Sequence, residues 1–329
     1  MAVVQLEGLR IHKRSVERLG CIKGCLDFLG RDVSLPWLYG GTGHAFVISL
    51  DPGVDVSSPD SWSHEPQFAL GRNLGYVIDG FSVFKPDAGD AFPDRQREAW
   101  EFVRTNIDRG VPCFGFELKA YYGGYWVIYG YDDGAGEEPA GYYYSGWEEG
   151  GPLPWEKLGD QFIPLLEVRS VQLCEPASDA QTVRAGLQYA LQHAQNPPEW
   201  IDEQAQSGPA AWAYWAAALD SGEAKRDHHT YNAQLWLECR EMAVEFLQEA
   251  RDRLPGRCDA LFDRAAKQYA AVCAKLKALI ELLPPRDKPN WGPDSTFSSP
   301  KGAALVREIG ALDGKALASL GQIAGSLSC

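Results

Sequence analysis

The chemistry this chain could perform centres on Cys21. It lies in the run RLGCIKGCLDFLG, residues 18–30, where apolar side chains recur at Leu19, Ile22, Leu26 and Leu29 with Cys25 beside them. That is the spacing of a helix burying one broad face. Gly20 stands just ahead of the run and Gly30 just after it, so the pattern predicts a helix that starts at or near Cys21 and ends on a glycine cap. A thiol in the first turn of a helix faces unpaired backbone N–H groups and the positive dipole end, and both favour the nucleophilic thiolate. In a sealed core the same residue would be an inert packing group, since free cysteine is among the most buried residue types. A nucleophilic cysteine also needs a base. His44, in the glycine-rich stretch GGTGHAF, is expected at a loop-to-strand junction, where binding groups collect; a histidine that merely caps the glycine turn is the alternative.

The elements that must hold these residues fall into two compositional halves. In the first, residues 45–50 read as a short buried strand, 57–68 as an irregular excursion or short helix, and 74–84 as a strand and turn. Residues 94–110 carry a helical stripe of Trp100, Val103 and Ile107 closed by Gly110. Short aromatic or β-branched runs at 113–118, 125–131, 141–144 and 162–171 predict a largely antiparallel sheet, with Asp132, Asp133 and Gly134 as a hairpin turn. From Ser178 the composition shifts to Ala, Leu, Gln and charged residues. Long amphipathic helices are expected at 180–194, 233–253 and 260–283, followed by a Pro, Asp and Ser loop at 287–300 and a last helical stretch at 301–327. The fold class expected is therefore α+β: a first domain over 1–175 with a mostly antiparallel sheet, then an all-α helical bundle over 176–329. Trp212, Trp215, Trp236 and Phe246 sit at helical spacing and are expected to face inward or toward the first domain.

Charge and composition exclude several classes of function. The 329 residues carry 31 Lys and Arg against 45 Asp and Glu, a formal net charge of −14. Such a surface repels phosphate backbones, so neither nucleic acid nor an anionic membrane is an expected partner. No segment approaches the roughly 20 apolar residues that span a bilayer, and the first twenty residues lack a signal-like apolar run, which makes the cytoplasm the expected compartment. Eight cysteines are scattered without a CxxC pair, so neither a disulfide framework nor a structural zinc site is implied, and no metal or other cofactor is expected. His228 and His229 are adjacent and would diverge on a helix, which favours a solvated turn before Tyr231.

A family pattern emerges from the order of several motifs: CIKGCLDFLG near the start, a helix ending RGVPCFGFEL, the strand GGYWVIYGYDD, then GYYYSG and PLPWEKLG. Over roughly residues 15–175 the chain resembles papain-like cysteine peptidases of the kind that process double-glycine leader peptides, and the broader group that includes the N-terminal domain of the butirosin biosynthesis acyltransferase. The helical half, with HHTYNAQLWLECREMAVEFLQEA, is similar to the region C-terminal to this domain in uncharacterised bacterial relatives. The resemblance implies a papain-like fold with Cys21 at the nucleophile position. It also implies a histidine at the start of the strand leading into the Gly-Tyr-Asp turn, where this sequence has Gly124 followed by Tyr125. The later acidic position falls near Ser145 and Gly146, and the glutamine usual before the cysteine is absent from residues 14–20. Neither glycine nor tyrosine replaces imidazole as a base near neutral pH.

Three functional readings are open. In the first, Cys21 performs acyl or amide transfer or hydrolysis, with His44 supplied from the GTGHAF loop as base. In the second, the papain-like groove persists without its chemistry and binds a small molecule or peptide in an aromatic cleft, for which Tyr39, Tyr125 and Trp126 are the candidate contacts. In the third, the helical half is a surface for homo-oligomerisation.

Overall fold

The computed structural model describes residues 3–119, 123–134, 139–283 and 296–327, so most of the loop expected at 287–300, and Cys329, lie outside the described residues. The chain is a mixture of helices and antiparallel strands divided into two compact units, Met1–Val33 with Gly75–Glu175 and Ser34–Leu74 with Pro176–Cys329. The shift in composition puts residues 34–74 in the first domain; their contacts group them instead with the helical unit.

The first unit is built on an antiparallel sheet whose strands run in the order Tyr76–Phe84, Leu165–Leu173, Cys113–Phe116, Tyr125–Asp132, Gly141–Ser145 and Glu149–Pro154. Val3–Gln5 pairs with the far end of Tyr125–Asp132, at Gly130 to Asp132, beyond the stretch that pairs with Cys113–Phe116. The helix Phe92–Asp108 lays Trp100, Val103 and Ile107 onto Cys113, Ile128, Tyr131, Tyr142 and Val168, and this cluster is the unit's core. Neighbouring residues on a strand point to opposite faces. Trp126 joins that cluster, whereas the Tyr125 ring lies under the Arg18 guanidinium at 5.5 Å. Gly134 donates its N–H to Asp132 Oδ1 at 2.9 Å, but the expected tight hairpin is a longer connection that reaches Gly141.

The helix carrying Cys21 spans Glu17–Phe28, one turn earlier than expected. Gly20 is not its cap. Residues 10–12 cross the helix so closely that a Cβ at Gly20 would collide with the His12 carbonyl and one at Gly24 with the Arg10 carbonyl. The His12 N–H also donates to the Gly20 carbonyl at 3.1 Å. The glycines therefore serve chain crossing, and the helix begins directly after Val16. Its end is as expected, with Gly30 at φ +71° and the Arg31 N–H returning to the Leu26 carbonyl at 2.9 Å.

The second unit is mainly helical. Asp179–His193, Pro209–Ser221, Arg226–Arg253, Asp259–Leu282 and Pro300–Ser326 pack with Leu35–Gly41, and a two-stranded ladder joins Ser49–Leu50 to Gln206–Ser207. Ser178 opens its helix with a reciprocal capping box to Gln181. Trp212, Trp215, Trp236 and Phe246 are all buried. His228 and His229 correct the expectation of a solvated turn: both lie inside Arg226–Arg253, where Trp215 Nε1 donates to His229 Nδ1 at 3.1 Å. Burial holds the His229 pKa down to about 4.

The run at 45–50 is a second correction. His44–Phe46 is a turn of 3₁₀ helix and only Ser49–Leu50 is strand. The fully buried Arg240 explains why: its Nη1 takes the carbonyls of Ala45 and Val47 at 3.0 and 2.9 Å, leaving them unavailable to a ladder. Its Nε donates to the buried Asp313 at 2.8 Å. Among the described residues no helix is long and apolar enough to cross a membrane.

Candidate functional site

Cys21 is the fifth residue of its helix rather than the first, so backbone N–H groups of the helix start are not presented to its sulfur. It is completely buried. Burial is the main cause that pushes its thiol well above the usual range, with further contributions from Cys25 and from Glu17 one turn earlier. Cys25 and Cys113 are likewise buried and raised by desolvation. At neutral pH Cys21 is a protonated thiol.

Glu17 reaches forward to the start of the strand Tyr125–Asp132. Its Oε2 accepts the Tyr125 backbone N–H at 3.1 Å, and its Oε1 accepts the Trp147 indole N–H. Gly124 sits at φ +146°, and a Cβ added there would overlap the Glu17 carboxylate. The position at which the resemblance expects a histidine is therefore packed by a carboxylate from the cysteine's own helix. Beside it, Lys119, Trp126, Trp147 and Glu148 line a cavity of about 110 Å³. Lys119 and Glu148 are ion-paired across it. Trp126 is buried and meets Tyr144 edge-on at 5.3 Å, while Trp147 is half exposed and its carbonyl accepts Lys13 Nζ at 3.0 Å. Tyr125 turns to the other face, where its hydroxyl donates to Glu167 Oε2 at 3.0 Å and Glu167 pairs with the buried Arg169 at 2.9 Å.

His44 belongs to the second unit, with Tyr39. It is buried, its Nδ1 is 3.0 Å from Gln67 Nε2, and its ring stacks with Trp62 at 5.8 Å and meets Tyr39 edge-on at 6.0 Å. Tyr39 donates its hydroxyl to Glu238 Oε1 at 2.6 Å. Trp62 gathers two more histidines, His64 at 4.8 Å and His193 at 4.9 Å. Desolvation, aided by His64, holds the buried His193 down to about 3, so it is neutral. The candidate residues thus divide: Tyr125, Trp126 and Cys21 lie in the first unit, and Tyr39 and His44 in the second. Nothing in the spacing singles out Glu17, Lys119, Trp147 or Glu148; the available signal is Trp147 beside two glutamates in SGWEEGG, a charged aromatic turn with no structural need for an exposed tryptophan. Among the described residues no three His, Cys, Asp or Glu side chains converge to hold a metal ion. Comparison with models of known protein families gives no match, and comparison with curated proteins gives none.

Proposed function

We propose that the chain is a papain-like module that has lost cysteine chemistry and binds a small molecule or peptide on the aromatic surface of its first unit. The observation that carries this reading is Glu17. Its carboxylate fills the space above Gly124, adds to the burial that raises the Cys21 thiol, and anchors Trp147, so one residue touches both the cysteine's surroundings and the aromatic surface. A buried, protonated thiol beside a carboxylate is a poor nucleophile, because desolvation and like charge both oppose thiolate. The cavity between Trp126 and Trp147 gives the same region an aromatic recess with one cation and one anion on its rim.

The experiment is alkylation of the native protein with iodoacetamide from about pH 7 to 9, read by peptide mass. Cys174 and Cys258, which are partly exposed, should be labelled, while Cys21 stays unmodified until the protein is unfolded. Rapid labelling of Cys21 that falls in His44→Ala would overturn the reading and restore acyl or amide transfer through Cys21 with His44 as base.

A further inference from the structure

Resting on the binding reading above, the geometry of the Lys119–Glu148 recess points to a specific ligand class: we propose that it takes the zwitterionic head of a free α-amino acid. The recess has a volume of about 110 Å³. That is room for several waters. The α-amino acid head, with its nitrogen, α-carbon and carboxylate, is five heavy atoms, a comparable size. Two charges of opposite sign stand on the wall and close on each other as an ion pair, with the Lys119 and Glu148 side chains 39% and 55% exposed. Exposed pairs of this kind hold weakly and open readily.

Any ligand that enters must deal with both charges. A lone cation or a lone anion would pair with one wall residue and strand the other. A ligand that carries an ammonium and a carboxylate one carbon apart replaces both partners at once, the carboxylate accepting from Lys119 Nζ and the ammonium donating to Glu148. In a peptide the two terminal charges lie on different residues and stand farther apart than one carbon. The rest of the recess is aromatic and is ordered before a ligand arrives. The Trp147 indole is tied to Glu17 and its backbone to Lys13, and Trp126 is packed edge-on against Tyr144. Preorganised rings spare a ligand the cost of ordering them, and their faces favour an ammonium nearby. Affinity is bounded by size. A ligand of about five to ten heavy atoms on a partly open site binds at millimolar rather than nanomolar concentration.

The test monitors the indole N–H resonances of the full chain by NMR, assigned with Trp147→Phe, during titration with glycine, glycinamide, N-acetylglycine and acetate at constant ionic strength. Glycine should give saturable shifts at Trp147 and Trp126, and each singly charged analogue should bind at least tenfold more weakly. Lys119→Met and Glu148→Gln should each weaken glycine binding tenfold or more without changing the thermal melt, since both side chains are exposed. Glycinamide binding as well as glycine, or shifts indifferent to either substitution, would overturn the assignment. So would saturable Trp147 shifts with small peptides while glycine is inert, a result that leaves the binding reading intact. Conversely, His44-dependent labelling of Cys21 would remove that reading, while charge-dependent glycine shifts would still support the headgroup site.

Discussion

The Glu17 carboxylate occupies the space into which any side chain at Gly124 would grow. The two residues belong to different elements, a helix start and a strand start, and their fit settles both the strand's entry and the orientation of Trp147.

Gly124→Ala is expected to destabilise the protein by about 1 to 3 kcal/mol, from a left-handed backbone that resists a Cβ and from displacement of Glu17. Urea denaturation measures the loss. Adding Glu17→Ala to the variant should restore the part due to overlap but not the part due to φ +146°. A Gly124→Ala protein as stable as the parent would refute the account.

Cys21 makes stability sensitive to alkali. Its folded pKa is raised, so the folded state holds the proton more tightly than the unfolded chain. The contribution is complete below the unfolded thiol value of about 8.5 and is lost as pH climbs above it. Cys21→Ala should lower stability at neutral pH yet decline less steeply between about pH 8.5 and 10, as read from denaturant midpoints. Parallel curves for the two proteins would contradict the raised pKa.

His193 acts at the other end of the scale. Its folded pKa of about 3 lies below the unfolded value of 6.5, so its contribution is complete above 6.5 and disappears as pH falls toward 3. Full titration is worth roughly 5 kcal/mol at most. The ring packs on Trp62 and Tyr189 in a buried site, with His64 and Arg240 as the charges it feels. His193→Leu should therefore flatten the fall of the melting temperature between about pH 6 and 4. An unchanged slope would show that His193 titrates normally.

Arg240→Met should cost about 3 to 5 kcal/mol, because it leaves Asp313 charged and buried and deprives the Ala45 and Val47 carbonyls of a donor. Pairing it with Asp313→Leu should recover part of that loss. Chemical denaturation of the three variants provides the cycle, and a double variant worse than the sum of the singles would contradict it.

Much of the fold is legible locally. Trp100, Val103 and Ile107 announce their helix, and the aromatic runs at 113–118, 125–131 and 141–144 announce their strands to within two residues, because burial of one face dictates periodicity. Other elements carry no such signal. Val3–Gln5 is a three-residue strand with nothing to repeat, and Glu149–Pro154 hides behind two glycines and two prolines. The grouping of residues 34–74 with the helical unit rests on contacts with residues far downstream, such as Tyr39 with Glu238 and Ala45 with Arg240, which no local pattern encodes. Likewise Cys21 is visible as a helical thiol, but its neutral state depends first on complete burial, with Cys25 and Glu17 adding to it, and that burial is a tertiary fact.

The interleaving of the two units has a consequence for synthesis. Because Ser34–Leu74 belongs with Pro176–Cys329, a nascent chain emerging from the ribosome makes the first instalment of its helical unit before most of the sheet exists. Trp37, Leu38, Tyr39 and Phe46 must then wait, without their partners on Arg226–Arg253 and Asp259–Leu282, while roughly two hundred further residues are translated. At about 5 to 20 residues per second that is an interval of roughly 10 to 40 seconds in which apolar surface is displayed, the circumstance in which chaperone capture competes with aggregation.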